Sequence, residues 1–428
     1  MSPASAVALA TPELLLPHKG VDLGKWAVVA CDQYTSEPEY WAAVEAAVAD
    51  APSTLRLIYP EVFLGEADPD ARIARIREAM SRYLAQGVFE AHRGFVLVQR
   101  DTSTGVRRGL VVGLDLEHYS FEKGASTLIR ATEGTILERL PPRIRIREGA
   151  PLELPHIMVL IDDPGDEVIG PLVSSETSFT SLYDFDLMSR GGRVRGHLVP
   201  EDRSASLAGA LSRLAEVSTR SGARAPFLYA MGDGNHSLAT AKTIWERIRA
   251  VAGPDDPRRF ALVELVNVHD PALVFEPIHR VLFGAPEGVE AALVQDLGAR
   301  VVSVASMAEM KRAVEESTAT RQRVGLLSGK DRSVLEIESP SSNLAVGTVQ
   351  PVLDRWVREK RVEGIDYVHG SASVESLGSR PGHAGIFLPS MDKRELFETV
   401  VLDGALPRKT FSMGEADDKR FYLEARRL

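Results

Sequence analysis

One stretch decides the fold: Pro226-Phe227-Leu228-Tyr229-Ala230-Met231-Gly232-Asp233-Gly234-Asn235-His236-Ser237. Its first six residues form an apolar run, which is typical of a buried strand. After the turn, apolar side chains recur at helical spacing, in Leu238, Ala241, Trp245 and Ile248. The two glycines between these patterns allow a tight turn. The stretch therefore predicts a buried strand over 226–231 and a helix over 238–250 that begins within two residues of Ser237.

Strands and helices alternate on both sides of this stretch. Residues 155–161 and 261–268 have the composition of strands, and residues 204–217 and 239–251 have the pattern of helices. This order favours an α/β fold, with α+β as the alternative. In either case a mixed, partly parallel sheet carries helices on its faces.

A second region begins after Phe283. The pattern there predicts helices over 287–297, 306–316, 346–358 and 393–402, a hairpin from 324–327 and 333–337, and a strand over 384–389. We therefore predict two regions. Residues 1–283 form an N-terminal and central α/β region that carries the turn, and residues 284–428 form a C-terminal α/β subdomain.

Composition excludes several classes of protein. The chain has 428 residues, and no apolar run approaches the length of about 20 residues that a membrane-spanning helix needs. The N-terminus carries Glu13 and no basic segment, so we expect no signal peptide. Cys31 is the single cysteine, which fits a cytoplasmic protein. The net charge of -10 argues against a nucleic-acid partner, although a local basic cleft could still hold a small phosphate ligand, and the oligomeric state stays open.

The turn itself is the best candidate for a ligand site. Backbone N–H groups at a helix N-terminus and the helix dipole favour an anion, and His236 can donate to a phosphate or relay a proton. The alternative is that the polar residues only cap the helix, which is the commoner role for such a turn. The candidate binding residues are Gly232, Asp233, Gly234, Asn235, His236 and Ser237.

Two further residues are candidates outside the turn. Glu133, between two threonines, is a candidate general base, with helix capping as the alternative. Lys409 lies in a basic segment that could reach a phosphate or simply face solvent. His156 fits a structural histidine better than a catalyst, and the spacing around His279 is not that of a metal site, so we expect no bound transition metal.

Five segments together resemble a bacterial and archaeal family known as domain of unknown function 1015. They are Ala30-Cys31-Asp32-Gln33-Tyr34, Leu154-Pro155-His156, Gly232-Asp233-Gly234-Asn235-His236, Phe275-Glu276-Pro277-Ile278-His279-Arg280 and Gly404-Ala405-Leu406-Pro407-Arg408-Lys409-Thr410. In that family the turn usually continues as Asp-Gly-His-His-Arg. Here Asn235 replaces a histidine and Ser237 replaces the arginine.

The turn is also similar to a box of the ParB/sulfiredoxin superfamily that contacts nucleotide phosphates. One branch, the free-serine kinases, pairs such a turn with a catalytic glutamate. The resemblance implies that Asp233, Gly234, Asn235 and His236 hold the phosphates of ATP or ADP, with Mg²⁺, and that Glu133 is the base.

Three hypotheses about function follow. The first is nucleotide-dependent phosphotransfer to a small hydroxylated metabolite such as free serine. The second is a nucleotide- or metabolite-binding regulatory protein without turnover, which the missing arginine favours. The third is a small-molecule hydrolase that uses His236 and Asp233.

Overall fold

The computed structural model describes residues 3–220 and 225–428, and these residues fall into two compact units. The first unit runs to Val274 and also takes in Met413–Leu428, whereas the second comprises Phe275–Ser412. Each unit has its own sheet and its own helices. No described helix combines the length and the apolar character that crossing a membrane requires.

The first unit is built on a large mixed sheet. The strands follow one another across the sheet in the order β11 (Thr180–Asp186), β12 (Arg193–Val199), β5 (Phe95–Thr102), β6 (Gly105–Asp115), β14 (Phe260–Asn267), β10 (Met158–Ile161), β13 (Tyr229–Asp233), β8 (Ile129–Arg130) and β7 (Tyr119–Ser120), and β1 (Leu9–Ala10) pairs with β6. β10 runs parallel to β14, and β13 runs parallel to β8. The remaining pairs from β11 to β13 are antiparallel. The predicted α/β fold with a mixed, partly parallel sheet is confirmed.

Shorter strand pairs and helices complete the first unit. The pairs are β2 (Glu13–Pro17) with β4 (Phe89–Arg93), β3 (Val28–Val29) with β22 (Phe421–Tyr422), and β9 (Leu152–Glu153) with β23 (Arg426–Arg427). The helices are α1 (Pro3–Ala6), α2 (Leu23–Trp26), α3 (Pro38–Val48), α4 (Pro69–Ala85), α5 (Leu140–Arg147), α6 (Gly170–Ser174), α7 (Ser204–Arg220) and α8 (Asn235–Ile248).

Apolar side chains cover both faces of the large sheet. Along β5 the side chains alternate, with Leu97 on the face that α7 and α8 cover and Val96 and Val98 on the face that α3 and α4 cover. Because successive residues of a strand point to opposite faces, a strand buried on both sides needs such a continuous apolar run. Trp245 of α8 and Trp41 of α3 belong to the two cores.

The second unit has a separate sheet with its own helices. The strand order is β16 (Arg300–Ser303), β18 (Asp331–Ile337), β17 (Gln322–Ser328), β20 (His383–Phe387), β15 (Phe275–Phe283) and β19 (Gly364–His369), and β21 (Phe411–Met413) pairs with β15. The helices are α9 (Val289–Leu297), α10 (Met307–Glu315), α11 (Ala345–Arg358), α12 (Ser371–Gly378) and α13 (Leu396–Asp403).

Three details differ from the sequence-based expectation. The strand before the turn covers Tyr229–Asp233 instead of 226–231, because its pairing with β8 starts at Tyr229 and its pairing with β10 continues to Asp233. The second unit starts at Phe275 instead of residue 284, since β15 pairs with β19 and β20. The chain then returns to the first unit at Met413, which an alternation of helices and strands does not reveal.

Buried charges attach this returning segment to the large sheet. The guanidinium of Arg420 is ion-paired with Glu264 of β14 and donates from Nη2 to Glu424 Oε2 at 2.6 Å. The three side chains are 4%, 2% and 0% exposed. Burial alone would lower the pKa of Arg420, but the charges of Glu424 and Glu264 outweigh it and raise that pKa. The arginine is therefore charged, and its two partners compensate that charge.

We expect Arg420→Met to lower the free energy of unfolding by about 3–5 kcal/mol, because it removes the cation of buried Glu424 and leaves buried Glu264 with only Arg107, whose Nε is 4.0 Å from its Oε1. The measurement is urea unfolding followed by circular dichroism. Arg93→Ala is the matched control: it breaks the exposed pair with Glu201, whose side chains are 60% and 49% exposed. The control should cost about 0–1 kcal/mol. Equal losses in the two variants would show that the buried cluster does not hold the segment.

Candidate functional site

The turn joins β13 directly to α8. Gly234 is the residue that caps the helix, in a left-handed conformation with φ of 78°, and no side chain caps the helix N-terminus. A Cβ atom at Gly234 would lie 3.0 Å from Cα and Cγ1 of Ile157. Glycine is therefore required here twice, by its φ angle and by the close approach of Ile157. The predicted helix start within two residues of Ser237 is confirmed, and the cap residue is Gly234 and not one of the polar residues of the turn.

Asp233 forms the negative side of an ion pair at the turn. Its Oδ2 atom is 3.2 Å from Lys419 Nζ, and its Oδ1 atom accepts the Gly234 N–H at 2.9 Å. Burial opposes the charge of this carboxylate, but Lys419, followed by His156, outweighs burial and lowers the pKa of Asp233. Asp233 is thus a carboxylate held by a lysine, which is an unfavourable state for a general base near neutral pH.

Parallel pairing of β8 and β13 brings a second segment to the turn. Both strands end at the same edge of the sheet, so the residues after Arg130 run beside the residues after Met231. Thr132 Oγ1 donates to the Met231 carbonyl at 2.7 Å, and the Ile136 N–H donates to His236 Nε2 at 3.4 Å. Glu133 lies within this segment.

Two buried polar atoms in these segments accept or donate no hydrogen bond among the described residues. They are Asn235 Oδ1 in the first turn of α8 and Thr135 Oγ1 next to Ile136. Leaving a buried polar group unsatisfied costs about 1–3 kcal/mol. Unsatisfied groups of this kind are expected where a ligand or an ordered water completes the structure.

A chain of hydrogen bonds lies on the other side of the turn. Ser237 Oγ is 3.1 Å from His156 Nε2, and the Tyr422 hydroxyl is 2.8 Å from His156 Nδ1. Asp32 Oδ2 is 4.0 Å from His156 Nε2. The sequence suggested a structural role for His156 and no role for Tyr422, whereas the structure places both beside Ser237.

A cavity of about 140 Å³ opens onto this chain. A cavity of about 150 Å³ holds a molecule of the size of benzene, so the enclosed part of this cavity matches a small molecule. The wall combines apolar side chains with the polar residues Cys31, Tyr59, Glu61, Arg143, Arg147, Glu153, His156, Ser237, Thr240 and Tyr422. Arg143 and Glu61 are ion-paired, and burial, only partly offset by Arg143, raises the pKa of Glu61. Burial likewise raises the pKa of the Cys31 thiol, which keeps it neutral and unreactive.

The structure thus brings most of the predicted candidates to one place. Asp233, Gly234, Asn235, His236 and Ser237 form the turn, and the segment of Glu133 lies beside it. Gly232 serves packing, because a Cβ atom there would meet Met413 and Leu160 within 3.0 Å. Lys409 belongs to the second unit, where its carbonyl accepts from Arg280 at 3.0 Å.

Four residues of the site were not among the candidates from sequence: Asp32, His156, Lys419 and Tyr422. Two of them, Asp32 and His156, lie in segments that resemble the family, and this is the only sign of them in the sequence. Lys419 and Tyr422 have no such sign. Among the described residues, no group of three or more His, Cys, Asp or Glu side chains is arranged to hold a metal ion.

The chain belongs to the family described as protein of unknown function DUF1015, whose model matches residues 15–356. Among curated proteins, none matches the sequence.

Several solved structures are similar to this chain. One is a conserved hypothetical protein from Pyrococcus furiosus, with 12% identity and a TM-score of 0.37 over 74% of this chain and 94% of that one. Another is a free serine kinase in complex with AMP, with 14% identity and a TM-score of 0.39 over 73% and 87% of the two chains. A third is SbnI with a C-terminal truncation from Staphylococcus aureus, with 11% identity and a TM-score of 0.35 over 73% and 82%.

The lowered pKa of Asp233 has a consequence for acid stability. An aspartate has a pKa of about 3.9 when the chain is unfolded. The folded value is lower, so the carboxylate stabilises the fold above about pH 4, and this contribution is lost as pH falls through the folded pKa. We therefore expect the melting temperature of wild type to fall further between pH 7 and pH 3 than that of Asp233→Asn.

Lys419→Met is the companion variant for this measurement. Removing the ammonium group should raise the pKa of Asp233. The melting temperature of this variant should therefore fall less on acidification than that of wild type, and nearly as little as that of Asp233→Asn. If both variants lose as much melting temperature on acidification as wild type, the ion pair does not form.

Proposed function

We propose that the chain transfers a phosphoryl group from a nucleotide, ATP or ADP, to a small hydroxylated metabolite of which free serine is an example. The observation that carries this proposal is the pair of unsatisfied buried atoms, Asn235 Oδ1 and Thr135 Oγ1, beside a helix N-terminus without a side-chain cap. A phosphate at that N-terminus gains from the backbone N–H groups and the dipole of α8. Rotation of the Asn235 carboxamide presents either a donor or an acceptor to the ligand.

The charges at the turn suit this role. Lys419 adds a positive charge at the turn, and its Nζ atom is 3.2 Å from Asp233 Oδ2. His236 adds a side-chain donor in the first turn of the helix. A Mg²⁺ ion that enters with a nucleotide is held mainly by phosphate oxygens and needs only one or two carboxylates, so the absence of a metal cluster among the described residues is compatible with it.

We assign the acceptor to the cavity on the other side of the turn from the phosphate. Ser237 and Thr240 of α8 line this cavity, whose size suits a small metabolite. In the proposed reaction the acceptor hydroxyl reaches from the cavity to the side of the turn where the Glu133 segment lies and attacks the terminal phosphorus, Glu133 takes the proton, and the shortened nucleotide leaves. Phosphoryl transfer depends mainly on positioning and on stabilising charge, so few catalytic side chains are needed.

The first test concerns Glu133. We expect Glu133→Gln to bind ADP and ATP with nearly wild-type affinity and to lose turnover, because a general base acts in the chemical step and not in holding phosphates. Isothermal titration, with and without Mg²⁺, and detection of phosphorylated product give the two quantities. Glu138→Gln, an exposed glutamate close by in sequence, should behave as wild type in both. A Glu133→Gln variant with full turnover would refute the role of this residue.

The second test concerns His236. Removing one charge-assisted donor costs about 1.5–3 kcal/mol, so His236→Ala should weaken nucleotide binding roughly ten- to a hundredfold without abolishing it. Backbone N–H donors survive the change and hold the remainder of the affinity. His92→Ala on β4 is the control that should bind normally. Unchanged affinity in His236→Ala would place the nucleotide elsewhere.

The alternative function is that of a regulatory protein that binds nucleotide but does not turn it over. Nucleotide binding without product in the wild type would support it. One observation favours this alternative. Ser237 stands where the family resemblance expects an arginine, and its hydroxyl contacts His156 instead of reaching into the turn as a long cation would. The product assay therefore decides between a transferase and a binding protein.

A further inference from the structure

The cavity wall contains a hydroxyl group and an imidazole in the relative position of a nucleophile and its base. Ser237 Oγ and His156 Nε2 are 3.1 Å apart, and both residues line the cavity. A serine hydroxyl is a weak nucleophile until a neighbouring base takes its proton. The phosphotransfer proposed above uses Ser237 only as part of the wall around the acceptor and gives His156 no role.

Tyr422 contacts the ring nitrogen of His156 that Ser237 does not. The Tyr422 hydroxyl oxygen accepts the Cys31 N–H at 3.3 Å and is 2.8 Å from His156 Nδ1. The proposal requires the tautomer in which Nδ1 carries the proton and donates to that oxygen, because Nε2 is then left to accept from Ser237.

Asp32 supports the same reaction electrostatically. Its Oδ2 atom is 4.0 Å from His156 Nε2, which is near enough to stabilise the imidazolium that forms when Ser237 loses its proton. His156 is also 8% exposed, so water does not compete strongly for its nitrogen atoms.

We propose that Ser237 is a nucleophile activated by His156, and that the cavity takes an activated ester of a small, largely apolar carboxylic acid. The substrate class follows from the size of about 140 Å³ and from the apolar part of the wall, which Leu57, Ile58, Leu64, Met80, Ile146 and Leu154 supply. Ser237 lies in the first turn of α8, so the N-terminus of that helix is at hand to stabilise the oxyanion.

The reaction balances without a further reagent. Ser237 Oγ attacks the carbonyl carbon, its proton passes to His156 Nε2, and the bond to the leaving alkoxide breaks as His156 returns the proton to it. Water then attacks the acyl-serine by the same route, which releases the carboxylic acid and restores Ser237. Nucleotide takes no part, so this activity stands or falls separately from the proposed phosphotransfer.

The test uses the full-length protein, a fluorophosphonate probe and p-nitrophenyl butyrate. The probe forms a bond from Ser237 oxygen to phosphorus and releases fluoride, with the proton going to His156. We expect labelling and ester hydrolysis in wild type, mass-spectrometric mapping of the label to Ser237, and loss of both signals in Ser237→Ala. A label on another residue, or none on wild type, would overturn the proposal even if a variant misfolds.

Two variants give the role of His156 and a matched control. His156→Gln should lower the labelling rate by about 10²- to 10⁴-fold, which is the usual contribution of a general base. Ser206→Ala should label as wild type, because Ser206 lies in the first turn of α7 and its hydroxyl donates to the Arg203 carbonyl. Unchanged labelling in a folded His156→Gln variant would contradict activation by this histidine.

Tyr422 is a positioning residue in this proposal, and its test is a pH profile. Tyr422→Phe keeps the ring but removes the oxygen that accepts from His156 Nδ1. We expect the midpoint of the labelling rate against pH to move, because the tautomer and charge of His156 are no longer fixed by that contact. A lower rate with an unmoved midpoint would show that Tyr422 acts only through packing.

Discussion

The buried ion pairing of Arg420 with Glu264 and Glu424 is the interaction on which the site depends. It fixes Met413–Leu428 to the large sheet after the chain has passed through the second unit. The residues on either side of Arg420 then take their places: Lys419 beside Asp233, and Tyr422 beside His156. Three charges out of contact with water tolerate little displacement, because each would lose its compensation. A segment distant in sequence thereby becomes a rigid wall of the site.

Sheet topology supplies the other wall. Because β8 and β13 are parallel neighbours, the segment of Glu133 and the Asp233–Ser237 turn emerge at one edge, and the contact between Ile136 and His236 joins them. The turn has two sides with different chemistry. Unsatisfied polar atoms and the N-terminus of α8 suit an anionic ligand, whereas the cavity beyond Ser237 suits a small and less polar one. This division is the physical basis for assigning a nucleotide to one side and a small molecule to the other.

Sequence patterns predicted the local structure well and the long-range contacts poorly. The apolar run and the 3.6-residue periodicity located β13 and α8 to within a few residues, and the same signal found the described helices of the second unit except the short α12. Periodicity contains no information about which distant segments meet. Lys419 and Tyr422 follow the turn by more than 180 residues and carry no motif of their own, so their roles depend on tertiary pairing. His156 seemed structural because a lone histidine at a strand start gives no sign of its partners.

The central claim is that the C-terminal segment belongs to the core of the first unit. Native-state amide hydrogen exchange tests it most directly, at Ala425, whose N–H donates to the Leu15 carbonyl at 2.9 Å, and at Ala30, whose N–H donates to the Arg420 carbonyl at 2.9 Å. We expect both amides to exchange with the same opening free energy as those of central strand β14, because one cooperative unit opens as a whole. Fast exchange at Ala425 and Ala30, with β14 still protected, would show a loosely attached terminus and contradict the account of the site.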